Sequence, residues 1–207
     1  VPRVILDKTG HHADCCSAAA AIGKGHMAQE IRTVGIIGAG QMGSGIAHVC
    51  ALAGFDVLVN DVSEDRVKSS LATISGNMAR QVASEKITES DRTAGLDRIT
   101  AAPEMEALNA ADLVIESATE KEAIKREIYD SLRPVLKPTA IIASNTSSLS
   151  ITRLAAATGA PERFIGIHFM NPVPVMELVE LIRGIATDED TFASAREFIA
   201  RLGKTIV

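Results

Sequence analysis

The sequence predicts an α/β fold built on a doubly wound, mostly parallel sheet. Three observations carry this. From Thr33 onward, short apolar runs alternate with segments of helical periodicity, the pattern of βαβ units. A glycine-rich turn from Gly38 to Gly43 joins the first run to the first helical pattern. Two late runs flank a Pro-containing loop around Pro174 and read as an antiparallel hairpin at the C-terminal edge of the sheet.

The elements follow in order. Strands are expected at Val34–Ile37, Asp56–Asn60, Leu113–Glu116, Ala140–Ala143, Phe164–His168 and Leu178–Ile182, with helices near 43–53, 63–84, 119–133, 149–157 and 188–202. The first helix carries apolar Ile46, Val49, Cys50 and Ala53 and stops at Gly54, a residue suited to a helix C-terminus. Residues 203–207 read as the start of another strand, and therefore as a truncation. Residues 1–26 sustain no period of 2 or 3.6, and an acidic, His-containing stretch interrupts them, so they do not make a signal peptide. They are expected to be a flexible leader or a non-native extension, with Met27 the natural start and 27–207 the folded domain.

Composition excludes several function classes. The 207 residues are 46% hydrophobic and 23% charged, with a net charge of -5; a general nucleic-acid binder is usually basic. Aromatic content is 3% with no Trp, which leaves no stacking platform for single strands. No apolar run approaches the roughly 20 residues of a membrane span. The cysteines, Cys15, Cys16 and Cys50, show no CxxC spacing, so no metal site or disulfide framework is expected. A reducing, cytoplasmic setting is the default.

Gly38-Ala39-Gly40-Gln41-Met42-Gly43 matches GxGxxG between a strand and a helix. Gly38 permits the tight turn, Gly40 lets backbone approach a pyrophosphate, and Gly43 lets helix and strand pack closely. The helix start, with Gln41 and Met42, offers N–H groups and a positive dipole end to phosphates. A second strand ends at Asp61, 18 residues after Gly43, placed to accept hydrogen bonds from the adenosine ribose. Its charge repels a 2′-phosphate and favours NAD. This is a Rossmann-type dinucleotide fold.

The polar run Ser144-Asn145-Thr146-Ser147-Ser148 follows an apolar strand. Ligands of open α/β sheets bind beyond the carboxyl ends of strands, so the run lies where a substrate or nicotinamide would sit; Ser148 or Ser150 also suits a helix N-cap. In a hairpin centred on Pro174, residues whose numbers sum to 348 face each other, which pairs His168 with Glu180. A carboxylate beside an imidazole orients the ring and fixes its tautomer, as a general base for alcohol oxidation requires. Glu177 has the wrong parity and belongs on the other strand face.

Three segments, VGIIGAGQMGSGIA, SNTSSLSIT and RFIGIHFMNPVPVMELVE, resemble the 3-hydroxyacyl-CoA dehydrogenase family over about residues 31–207. The resemblance implies reversible, NAD-dependent oxidation of an (S)-3-hydroxyacyl-CoA to the 3-ketoacyl-CoA, with a short acyl chain such as 3-hydroxybutyryl. It implies His168 as catalytic base, Glu180 as its partner and Ser147 on the substrate's 3-oxygen. Asn171 falls near the nicotinamide and substrate, Glu120 and Lys125 at the nicotinamide ribose. Asn77 and Ser84 stand where some members place a Ser and a Lys on CoA; Arg80 or Lys86 offers positive charge instead. The family also implies a further helical domain carrying the dimer interface, absent here, so this chain alone is expected to turn over weakly. Two alternatives are a non-catalytic NAD-binding or structural member and the dehydrogenase part of a multifunctional fatty-acid oxidation protein.

Overall fold

A computed structural model describes residues 28–207; the expected leader over 1–26 and the start at Met27 lie outside the described residues. The elements alternate from β1 (Thr33–Ile37), α1 (Gln41–Leu52) and β2 (Asp56–Asn60) to α2 (Glu64–Ala83), α3 (Glu89–Asp97) and β3 (Ile99–Ala101). There follow β4 (Leu113–Glu116), α4 (Glu122–Leu132), β5 (Ile141–Ser144), α5 (Ile151–Ala155) and β6 (Phe164–Phe169). β7 (Leu178–Arg183), α6 (Glu189–Arg201) and β8 (Thr205–Ile206) complete the chain.

Among the described residues, the strands form one sheet in the order β3-β2-β1-β4-β5-β6-β7-β8. Neighbours from β3 to β6 are parallel, β6 and β7 are antiparallel, and β8 joins β7 in parallel. The doubly wound, mostly parallel sheet and its edge hairpin are those the sequence predicts. Apolar clusters cover both faces. Ile46, Cys50, Ile74 and Phe198 gather under α1, α2 and α6, while Tyr129, Leu132, Leu154 and Phe164 gather under α4 and α5. The order of the chain reverses between β1 and β4, and the crevice at such a switch point is where dinucleotides bind.

Periodicity placed most elements to within a few residues but did not signal α3 and β3. α3 is polar, and its start rests on a reciprocal cap: Thr88 accepts the Asp91 N–H while Asp91 accepts the Thr88 N–H. The Thr88-to-Asp91 spacing is a readable cap signal. β3 has three residues, too few for a period. α5 is shorter than 149–157, because Ser150 caps its N-terminus and the chain leaves the helix at Ala155.

Candidate active site

The glycine turn leads from β1 into α1. Gly38 has φ +100°, and a Cβ there would lie 2.6 Å from the Ala118 Cα. At Gly43 a Cβ would lie 1.8 Å from the Gly38 carbonyl oxygen, so both positions exclude side chains on steric grounds. Gly40 differs: a Cβ would meet nothing within 4 Å. Gly40 is also the N-cap of α1, with no side-chain cap bond. The turn therefore presents open space above an uncapped helix start whose first N–H groups lack intrahelical partners. That is the fit a pyrophosphate requires.

Asp61 follows β2, its side chain 7% exposed. It accepts the Ala39 N–H at 2.8 Å and the Ser63 N–H at 3.2 Å. A carboxylate has about four acceptor sites, so capacity for ribose hydroxyls remains. Asp61 lines a cleft of ≈ 450 Å³ with Gly38, Val62, Met105 and Ile128; Met105 went unread in the sequence because the short turn that carries it was not signalled. A second cleft of ≈ 360 Å³ shares Ala118 and Thr119 with the first and holds Met42, Asn145, Ser147, His168 and Asn171. The two clefts adjoin at Ala118 and Thr119 and make up a trough over the carboxyl ends of β1 and β4.

In this second cleft, His168 and Glu180 face each other in the β6–β7 register. The His168 Nδ1 and Glu180 Oε2 are 2.7 Å apart, and the histidine side chain is 17% exposed. A carboxylate only accepts, so Nδ1 carries the proton and Nε2 is the free ring nitrogen. Glu177 precedes β7 and is exposed. The Asn145 Oδ1 accepts the Phe169 N–H at 2.8 Å, and the Gln41 Nε2 donates to the Asn171 Oδ1 at 3.1 Å. These bonds tie the ends of β5, β6 and α1 together.

Glu120 accepts the Ser147 N–H at 2.7 Å, the Ser147 hydroxyl at 2.9 Å and the Thr146 hydroxyl at 2.8 Å. Burial alone raises its pKa, but the Ser147 N–H, the two hydroxyls and Lys125 outweigh that and hold it below the usual carboxylate value.

Lys125, expected at the nicotinamide ribose, is buried in this structure. Its side chain is 1% exposed and pairs with Glu116, itself 0% exposed. Lys125 lies behind the trough and reaches it through Glu120, 3.9 Å away. The reason is the rotation of α4, which buries Lys125, Tyr129 and Leu132 as one stripe. Asn77, expected at a CoA-contact position, lies outside the His168 cleft. It accepts a bond from Arg80 and lines a separate cleft of ≈ 290 Å³ with His48, Lys86, Pro172 and Val175. The buried His48 was not anticipated; its Nε2 meets the Gln81 Oε1 at 3.0 Å and its Nδ1 has no partner. Burial lowers its pKa, partly offset by Gln81, so it is neutral at neutral pH.

Residues 33–207 match the family model described as "3-hydroxyacyl-CoA dehydrogenase, NAD binding domain". This chain belongs to the 3-hydroxyacyl-CoA dehydrogenase family. The cofactor of this NAD-binding domain is NAD, which the open space at Gly40 and the carboxylate of Asp61 both suit. The chain is 66% identical to a 3-hydroxybutyryl-CoA dehydrogenase of Bradyrhizobium diazoefficiens, over 87% of this chain and 61% of the relative. It is 38% identical to a 3-hydroxyadipyl-CoA dehydrogenase of Escherichia coli, over 84% of this chain and 37% of that one. Among solved structures, an (S)-3-hydroxybutyryl-CoA dehydrogenase from Ralstonia eutropha superimposes with TM-score 0.84 at 47% identity, covering 86% of this chain and 63% of that one. The chain thus spans about three fifths of the length of the first relatives it matches.

Proposed function

We propose that this chain carries the NAD-binding and proton-transfer half of an enzyme that interconverts (S)-3-hydroxyacyl-CoA and 3-ketoacyl-CoA, with 3-hydroxybutyryl-CoA the preferred class. The observation that carries the reading is the His168–Glu180 pair, 2.7 Å apart, with His168 lining the cleft next to the one that Gly38 and Asp61 line.

The His168 Nε2 takes the proton of the 3-hydroxyl as general base, a contribution of about 10²–10⁴ in rate. Glu180, on the Nδ1 side, holds the ring and stabilises the imidazolium that forms. Ser147 and Asn171 contact the substrate oxygen and neighbouring atoms, and Asn145 braces the strand ends beneath the nicotinamide. NAD, when bound, supplies the hydride acceptor for C3. The cleft of Asn77, Arg80 and Lys86 suits the CoA portion, because two exposed cations sit beside it. Gly38, Gln41, Met42 and Gly43 frame the pyrophosphate, Asp61 the adenosine ribose, and Glu120 the nicotinamide ribose.

The names of the relatives support the acyl-CoA substrate. We further propose a cytoplasmic enzyme, acting where NAD and acyl-CoA are both supplied, with no nucleic-acid or membrane partner. It acts as a homodimer joined through a helical domain beyond residues 27–207. No helix among the described residues is long and apolar enough to cross a membrane.

In the native enzyme, His168→Gln is expected to lower turnover of acetoacetyl-CoA by about 10²–10⁴ while leaving NADH affinity nearly unchanged. Unchanged turnover would remove His168 from the mechanism.

A further inference from the structure

Beneath the trough lies a buried charged cluster that general base catalysis does not use. Glu116 ends β4, and Lys125 rises from α4 to meet it at 2.5 Å. The Tyr129 hydroxyl donates to the same carboxylate at 3.1 Å, and the Ser144 hydroxyl does so at 3.2 Å. Lys125 also donates to the Ser144 Oγ at 3.2 Å. An ammonium has three donors, so Glu116 and Ser144 account for two. The third has one further carboxylate within reach, Glu120, whose Oε2 is 3.9 Å away.

Glu120, with a side chain 46% exposed, stands between two sets of donors. In this structure it is held by the Ser147 loop, and the Ser147 hydroxyl donates to its Oε1 at 2.9 Å. A serine hydroxyl has a single proton. While that proton lies on Glu120, Ser147 offers the trough only lone pairs. A ketone oxygen, or the oxygen from which His168 removes a proton, needs a donor instead. A hydrogen bond to a charged acceptor is among the stronger ones, so Ser147 does not turn to the substrate until Glu120 lets go.

We infer that Glu120 is a positioning residue that decides when Ser147 becomes a donor: a ligand at the cofactor end of the trough draws Glu120 off Ser147 and onto Lys125. The buried Glu116–Lys125 pair keeps that alternative partner fixed and charged. The move is short, since Lys125 is already 3.9 Å from the carboxylate, and it converts cofactor binding into readiness for the substrate oxygen. A ligand shifts such an equilibrium only through different interactions with the two states; here the nicotinamide-ribose hydroxyls donate to the Glu120 carboxylate once it has left Ser147. The inference rests on the reading of Ser147 as the contact of the substrate oxygen.

The test is calorimetric titration of acetoacetyl-CoA into the native enzyme, with and without saturating NAD. The native enzyme is expected to bind at least about tenfold more tightly with NAD, the scale of a charge-assisted hydrogen bond. Glu120→Ala is expected to bind tightly without NAD and to lose the dependence on it. Glu120→Gln, whose amide oxygen still accepts the Ser147 proton, is expected to keep weak cofactor-free binding. Ser147→Ala is expected to abolish the dependence and, combined with Glu120→Ala, to erase the gain. Cofactor-free binding by Glu120→Ala no tighter than native overturns the inference alone. A native enzyme that binds no acetoacetyl-CoA under either condition overturns the functional reading as well.

Discussion

At the scale of single residues, position in the sheet and position in the site are separable. His168 and Glu180 face each other because strand side chains alternate with a period of two and the loop centre at Pro174 sets the register. That pair was legible in the sequence. Lys125 was legible only through the family resemblance, as a residue at the nicotinamide ribose. Its neighbours Tyr129 and Leu132, four and seven residues on, mark a buried stripe, and a lysine in an apolar stripe signals a buried partner. Breaking such a pair from one side leaves an uncompensated charge, at a cost of about 3–5 kcal/mol. Lys125→Met is therefore expected to lower stability by about that amount in urea unfolding. The double variant Lys125→Met with Glu116→Leu is expected to recover much of the loss, because it leaves no lone buried charge.

At the scale of elements, the start of α1 separates ligand binding from folding. Gly40→Ser places a good N-cap residue at an N-cap position in open space. Its unfolding midpoint is expected to match native, while the side chain occupies the pyrophosphate cradle and NADH affinity falls at least tenfold in a fluorescence titration. Gly43→Ala is expected to lower the unfolding midpoint sharply, since its Cβ would collide with the Gly38 carbonyl oxygen at 1.8 Å. A second element-level restraint holds the hairpin loop. The Lys204 Nζ, just before β8, donates to the carbonyls of Val173 at 2.8 Å and Met176 at 2.7 Å, and Val173 packs on Gly45 of α1. The edge strand thus fixes the loop between His168 and Glu180 against the cofactor helix. Lys204→Met is expected to lower turnover more than NADH affinity, read as a fall in kcat with little change in the KM for NADH.

At the scale of the whole molecule, stability depends on pH through groups remote from one another. His48 is buried with its pKa lowered by desolvation. Below about pH 6.5 the unfolded chain binds a proton there that the folded chain refuses, so stability falls as pH falls. His48→Gln is expected to flatten that slope in urea midpoints measured between pH 5 and about pH 7. Asp112 adds an acid limb. Burial raises its pKa, but Lys137 and the N–H groups of Thr33 and Arg32 prevail and lower it. With the folded value depressed, its contribution is full above about pH 4 and is lost as pH falls through the lowered value.

The sequence by itself determined the order of most strands and helices, the glycine turn, the acidic end of β2 and the facing hairpin pair. Each of these depends on local period or on spacing along one short stretch. Only the tertiary structure decided that Lys125 lies beneath the trough, that Glu120 holds the Ser147 hydroxyl, and that Asn77 opens on a separate cleft with His48. Those relations join residues from different elements. They depend on how far each helix is rotated over the sheet and on the paths of the loops, which packing of the whole core sets and no local pattern records.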